Sequence, residues 1–366
     1  MNRARSGLRR SDSSTRVEQS RTVPIRDAVR ALNPGHFAVV MATGIVSAGL
    51  LAHGQRVLSV ALMWLAGLSY AVLVILHAWR LVSFRAEVAA DLADPTRGFG
   101  FFTFVAGTDV LGARVAADGH DGTASVLLVV GVTACLLLGY VVPWAVLLSR
   151  GASQVIARAN GTWFVWVVAG QSVAVLAATL EPGYGHGRQE LALLAVFSWS
   201  VGVFLYPAVA IIVAARLVLY PVRPDELTPA YWVSMGATAI TVVAGARIVE
   251  MADAPTVTAT RGLVAGTSVL FWAFGTWLIP ALIAAGAWRH LIRRVPVRYD
   301  SALWGMVFPL GMYGIAGEYL GRADSLPLVQ TIGADETWVA FVVWTLTFAA
   351  MLYHLAGTRL GDRSDA

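Results

Sequence analysis

The sequence predicts an all-α integral membrane protein: ten transmembrane helices fold as five quasi-symmetric helical hairpins, with the odd helices forming an inner ring around a central pore. Three observations carry this reading. Hydrophobic residues make up 57% of the 366-residue chain and charged residues only 13%, whereas a soluble globular domain carries about 25% charged residues. Ten apolar stretches follow one another, each close to the ~20 residues a helix needs to cross a bilayer. A waist of small residues returns in every second stretch, at Ala42-Thr43-Gly44, Ala106-Gly107-Thr108, Ala169-Gly170-Gln171, Met235-Gly236-Ala237-Thr238 and Leu310-Gly311-Met312. The glycines are 63, 63, 66 and 75 residues apart, which is the length of two spans with their loops.

In chain order the spans read as 35–52, 57–79, 99–117, 124–148, 161–180, 190–217, 229–249, 262–288, 302–320 and 337–357. Residues 1–34 form an arginine-rich arm with no apolar core, expected to be a disordered cytoplasmic segment; residues 35–358 form the transport domain and 359–366 a cytoplasmic tail. Arg9-Arg10 is followed by Ser-Asp-Ser-Ser rather than by an apolar run, so the arm does not read as a twin-arginine signal. The single cysteine, Cys135, lies in an apolar run and leaves no partner for an intrachain disulfide.

Charge orients the spans. All 27 basic residues are arginines; 21 fall in the arm, the even-to-odd connections and the tail, against six on the opposite side. The positive-inside rule then predicts that both termini are cytoplasmic and that all five odd helices run outward. Parallel hairpins of this kind can close about an axis along the membrane normal. The even helices are bulkier and more uniformly apolar and suit lipid, while the glycine-waisted odd helices suit an inner ring. Taken singly, each glycine is as well explained by close helix packing; the five-fold recurrence points to a passage.

If Gly44, Gly107, Gly170, Gly236 and Gly311 mark one height, a partly polar girdle follows them, containing Thr108, Asp109, Gln171, Ser172 and Thr238. Three residues before the glycines come Met41, Phe104, Val167, Val233 and Phe308, an apolar level suited to a constriction that gates by excluding water. Asp109 stands out because an intramembrane carboxylate is costly. It marks either a pathway or proton relay, or a structural pin held by neighbouring hydroxyls. Arg247, near the outer end of the seventh span, either pairs locally with Glu250 or offers positive charge to an anion at the outer mouth. No phosphate loop, metal-ligand spacing or nucleophile elbow is present, so the sequence predicts no enzyme, no metal and no cofactor.

Four segments carry a family resemblance: His36-Phe37-Ala38-Val39-Val40-Met41-Ala42-Thr43-Gly44-Ile45-Val46-Ser47; Gly161-Thr162-Trp163 with Val168-Ala169-Gly170-Gln171-Ser172; Tyr231-Trp232-Val233-Ser234-Met235-Gly236-Ala237; and Trp304 through Tyr313. Together, and in this order, they resemble the tellurite-resistance/C4-dicarboxylate transporter family. Its members include TehA-type bacterial channels, fungal malate permeases, sulfite pumps and plant slow anion channels. The resemblance spans roughly residues 34–357. It implies ten helices around a narrow pore, a trimer in the plasma membrane (the cell's inner membrane), and a phenylalanine of the ninth helix that plugs the pore, matched here by Phe308. The implied cargo is a small anion, a C4-dicarboxylate such as malate or alternatively an inorganic anion such as sulfite, nitrate or chloride. The implied partners are the lipid bilayer and further copies of the chain, with no nucleic acid. A receptor or membrane enzyme is the remote alternative. One departure is that, among the odd spans, only the ninth carries an internal proline, Pro309.

Overall fold

The computed structural model describes residues 25–149, 151–252 and 254–360. Arg9-Arg10, most of the expected arm and the tail from residue 361 lie outside the described residues. Within the described part of the arm, α1 (Ile25–Arg30) buries Val29, packs on the helix Arg56–Ser83 and pairs Arg30 with Glu87 at 2.7 Å, so regular structure starts before residue 35.

Two kinds of helix alternate. The short kind is α2 (Ala38–Ala52), α5 (Phe102–Ala116), α8 (Phe164–Leu180), α10 (Val233–Glu250) and α12 (Trp304–Ala323), of 15 to 20 residues. The long kind is α3 (Arg56–Ser83), α6 (Asp121–Ser149), α9 (Arg188–Leu219), α11 (Pro255–Ala287) and α13 (Pro327–Leu360), of 28 to 34 residues. Two brief helices, α4 (Arg85–Leu92) and α7 (Ala152–Arg158), fill connections that the hydropathy pattern reads as loops.

The short helices touch in the closed order α2, α5, α8, α10, α12 and back to α2, and each long helix packs on the short helix that precedes it. Burial separates the two rings. In α2, α5, α8 and α10, with their opening turns, 61 to 83% of the most apolar window is buried, against 6 to 28% in the long helices. Large side chains such as Trp64, Phe204 and Trp277 face outward from the outer ring. In lipid this exposure carries no hydrophobic penalty, because acyl chains are as apolar as leucine.

A repeat invisible to hydropathy sets the direction of the inner ring. Every short helix opens with a 3₁₀ turn: Pro34–Phe37, Gly98–Phe101, Gly161–Trp163, Pro229–Trp232 and Ser301–Leu303. These five turns contact one another in a ring at one end of the molecule, so the five inner helices run parallel. Asn33, Asn160 and Asp300 cap three of the turns by accepting from the amides of Gly35, Thr162 and Ala302. Gly161 is required sterically, since any Cβ there would run into the backbone of Ala230 and Tyr231 in the next turn.

Among the described residues, nine helices are long and apolar enough to cross a membrane. α12 is not one of them by composition, being rich in glycine and carrying Glu318 and Arg322 near its end, yet it completes the inner ring between α10 and α2. Its Gly314 and Gly317 meet Gly333 of α13 backbone to backbone, which is what the Gly311-x-x-Gly314-x-x-Gly317 spacing provides.

Candidate functional site

Two cavities lie inside the inner ring, and each is lined by all five inner helices or their opening turns. The cavity at the N-terminal end holds about 90 Å³; Met41, Val233 and Phe308 lie at its deep end, and Thr103 and Val165 complete its wall. The cavity at the C-terminal end holds about 240 Å³, and its deepest residues are Ile45, Asp109, Ser172 and Met312. One helical turn separates the two sets on α2 and α12, and about two turns on α5, α8 and α10, where the C-terminal cavity begins at Asp109, Ser172 and Ile240. Phe308 and Met41 are almost wholly buried, at 1% and 2% exposure. Two separate cavities thus lie along the ring, with the buried side chains of Met41 and Phe308 between them.

The five residues of the predicted apolar level fall in different surroundings. Met41, Val233 and Phe308 line the cavity, but Phe104 and Val167 do not. Phe104 turns away from the axis to stack on Tyr70 at 6.1 Å and to meet Phe37 edge-on, and Val167 is fully buried in the packing between helices. Thr103 and Val165, one and two residues earlier, take their places.

The waist glycines face neighbouring helices and none lines either cavity. Gly44 meets Val110, Gly107 meets Val40 and the carbonyl of Phe37, Gly170 lies near the carbonyl of Ser198, Gly236 takes in the ring of Pro309, and Gly311 meets Ile45. Close helix contact accounts for Gly44, Gly236 and Gly311 and, less tightly, Gly107, whereas Gly170 is in looser surroundings and lines a separate hollow between α6, α8 and α9.

The polar girdle divides in two. Asp109 and Ser172 line the C-terminal cavity. The Ser172 hydroxyl donates to Asp109 Oδ2 at 2.9 Å, while Asp109 Oδ1 has no hydrogen-bond partner among the described residues. Gln171 instead donates to the carbonyl of Trp199 at 3.1 Å, Thr108 bonds the carbonyl of Phe104 at 2.7 Å beside the Tyr70 hydroxyl, and Thr238 bonds the carbonyl of Met235 at 2.6 Å. Gln171 and Thr238 point outward into notches that glycine leaves on the outer helices, Gly202 on α9 and Gly275 on α11; Asp109 fits against Gly131 on α6 in the same way. Gln171, Thr108 and Thr238 thus tie inner to outer helices.

Arg247 lines the C-terminal cavity, and no carboxylate among the described residues pairs with it, Glu250 included. It donates to the Tyr319 hydroxyl and its guanidinium lies 4.3 Å from the Tyr319 ring centre. Arg322, also cavity-lining and without a carboxylate partner among the described residues, lies 4.7 Å from the same ring. Arg114 is the third arginine on this wall; it is fully buried, bonds the hydroxyls of Ser47 and Ser59 at 2.9 to 3.1 Å, and pairs with Asp118 at 3.0 Å. All three sit in the last turn of an inner helix, where cations offset the negative end of the helix dipole. At the other end five helix N-termini converge, where partial charge is positive. The wall of the C-terminal cavity also carries Glu318, which lies 3.6 Å from His53 Nδ1 and accepts from the Thr337 hydroxyl at 3.3 Å, so cations and carboxylates share it. Arg114, Tyr319 and Arg322 escape a reading of the sequence because each sits near a span end, where arginine and tyrosine ordinarily mark the interface.

Among the described residues no three His, Cys, Asp or Glu side chains gather as a metal site.

The family model described as voltage-dependent anion channel (SLAC1) matches residues 31–352. An uncharacterized membrane protein of Mycobacterium tuberculosis (strain H37Rv) is 64% identical over 165 residues, covering 44% of this chain and 84% of that protein. An uncharacterized transporter of Methanocaldococcus jannaschii is 24% identical over 328 residues, 88% of this chain and 92% of its own; a second from the same organism is 24% identical over 318 residues, 85% and 91% respectively. The match covers the inner and outer rings together and bears out the resemblance drawn from the four segments. The chain belongs to the voltage-dependent anion channel family, and is a multi-pass integral membrane protein of the anion-transport class.

Proposed function

We propose that the inner ring conducts small anions along its axis, with C4-dicarboxylates such as malate as cargo and Phe308 as the gate. The observation that carries this reading is the pair of cavities, each lined by all five inner helices or their opening turns and parted by one to two helical turns near Met41, Val233 and Phe308. A pathway that must be shut to ions needs a short dry segment, and rotation of one aromatic ring opens it without moving a helix. Pro309, next to Phe308, frees a carbonyl one turn earlier and loosens α12 at this height.

Anion selectivity follows from the mouths. Five helix N-termini face one cavity, and Arg247 and Arg322 supply two guanidiniums with no carboxylate partner among the described residues at the other. Two such cations suit a divalent anion, which supports a dicarboxylate. A second reading, an inorganic anion channel, draws on the small N-terminal cavity of about 90 Å³. In either case α12 counts as the tenth span, both termini are cytoplasmic by the arginine asymmetry, and the protein works in the plasma membrane as a trimer, as family membership suggests. Asp109 is the residue through which protons affect transport, because it is a carboxylate lining the C-terminal cavity; its Oδ2 is held by Ser172, and its Oδ1 lies in the Gly131 notch with no hydrogen-bond partner among the described residues.

Flux through the purified protein in liposomes tests the proposal. Malate, succinate, sulfite, nitrate and chloride are compared with sodium and potassium, with and without a pH gradient. Anion flux with no cation flux is the expected result, and malate above chloride selects the first reading. Cation flux, or no flux of any anion from either side, would remove it.

A further inference from the structure

The connection between α11 and α12 carries features that the pathway does not use. From Leu263 to Trp288 the chain runs 26 residues without a charge, about 39 Å of helix, which exceeds the ~30 Å hydrocarbon core and ends within the headgroup layer. There the helix widens into a π-helical turn, Trp288–Ile292. Four arginines follow within ten residues: Arg289, Arg293, Arg294 and Arg298. Among the described residues none of the four is ion-paired. Arg293 lies 5.0 Å from the Trp288 ring centre, and Arg289 donates to the carbonyl of Leu227 at 2.6 Å while its Nε stays buried without a partner. Arg294 holds a left-handed backbone, φ 54°, a conformation that costs a non-glycine residue energy and persists only where the surroundings demand it. Between the arginines Leu291, Ile292 and Val297 are exposed.

Beside this turn lies a cavity of about 450 Å³ lined by Trp232, Leu282, Ile283, Gly286 and Met306; of the four arginines Arg289 lines it, and Arg293 and Arg294 follow it in the adjoining chain. A Cβ on Gly286 would meet nothing within 4 Å, so this position has room for a larger side chain. The nearby acids are engaged elsewhere. Arg223 bonds Asp225 at 2.8 Å and holds its carboxyl below the usual range, Glu226 pairs with Arg216 at 2.7 Å, and Asp300 caps the turn at Ser301. A cluster of unpaired arginines at headgroup depth, next to an apolar hollow with an aromatic rim, is matched by one chemistry: a phosphate-bearing anionic headgroup attached to acyl chains.

We propose that this cavity is a binding site for an anionic phospholipid, with the headgroup on Arg289, Arg293 and Arg294 and an acyl chain along Leu282, Ile283 and Met306. The proposal is independent of which anion the pathway carries. The test uses the full chain purified in detergent, and reads thermal stabilisation and bound lipid by native mass spectrometry. The probes are dioctanoyl phosphatidylglycerol, dioctanoyl phosphatidylcholine, glycerophosphoglycerol and inorganic phosphate. Dioctanoyl phosphatidylglycerol alone should bind and stabilise. The variant Arg293→Gln/Arg294→Gln should weaken its binding at least tenfold, and Gly286→Leu, which fills the hollow and keeps every arginine, should do the same. Loss in the arginine variant with full binding in Gly286→Leu would reduce the region to a diffuse basic surface and overturn the site. Equal binding of inorganic phosphate or glycerophosphoglycerol would overturn the lipid assignment, as would retention of phosphatidylglycerol by both variants.

Discussion

The carboxylate of Asp109 on α5 lies in the notch that Gly131 leaves on α6, so close that a side chain at 131 would occupy the same space. Ser172 of α8 holds the other side of the carboxylate at 2.9 Å, so one residue links three helices at the floor of the C-terminal cavity. Gly131→Ala should therefore displace Asp109 and cost about 1–3 kcal/mol, the usual range for overpacking. Adding Asp109→Ala should restore most of that loss. Strictly additive losses in a thermal or denaturant titration would show that the two residues do not share this space.

Asp109→Asn keeps the shape of the side chain and removes its charge. Wild-type flux should respond to an imposed pH gradient, and the variant, inserted and folded, should not. A variant whose flux still follows the gradient would leave Asp109 as a tie between helices only.

Arg247→Gln removes one of the two guanidiniums on the Tyr319 ring. Anion flux at low salt should fall about tenfold, in line with the loss of local charge focusing at a mouth, and the difference should shrink as ionic strength rises and screens the field. Tyr319→Phe keeps the ring and loses only the hydroxyl contact, so its effect should be smaller. If Arg247→Gln flux matched wild type at all salt concentrations, Arg247 would be a packing residue.

Topology follows from the arginine asymmetry. Reporters fused after Asp27 and after Gly361 should both report the cytosolic side; one on each side would mean that α12, or another helix of the ring, does not cross.

Much of the architecture was legible in the chain. Composition and the recurring small-residue waist pointed to hairpins with a distinct inner helix, and the inner ring consists of those helices. Which side chains meet the axis was not legible. A helix turns about 100° per residue, so a shift of one residue in register carries a side chain from the axis into a neighbour. Asp109, Ser172 and Thr238 each follow a waist glycine by two residues; the first two line the cavity, Asp109 also reaching the Gly131 notch on α6, whereas Thr238 faces Gly275 of α11 and lines neither cavity. The same offset puts Thr103 where Phe104 was expected. The opening 3₁₀ turns, which align the inner helices more closely than the glycines do, have no single residue pattern and emerge only from contact between segments far apart in sequence.

The closed apolar level at Phe308 is the central claim, and flux through Phe308→Ala tests it most directly. Truncation removes the ring that parts the two cavities and, as a buried Phe-to-Ala change, costs about 3–5 kcal/mol of stability, so flux is normalised to folded protein in the liposomes. Met41→Ala at the same level serves as the comparison. Anion flux well above wild type in Phe308→Ala, with a smaller increase in Met41→Ala, is the predicted result. Flux at or below wild type in folded Phe308→Ala would contradict the account.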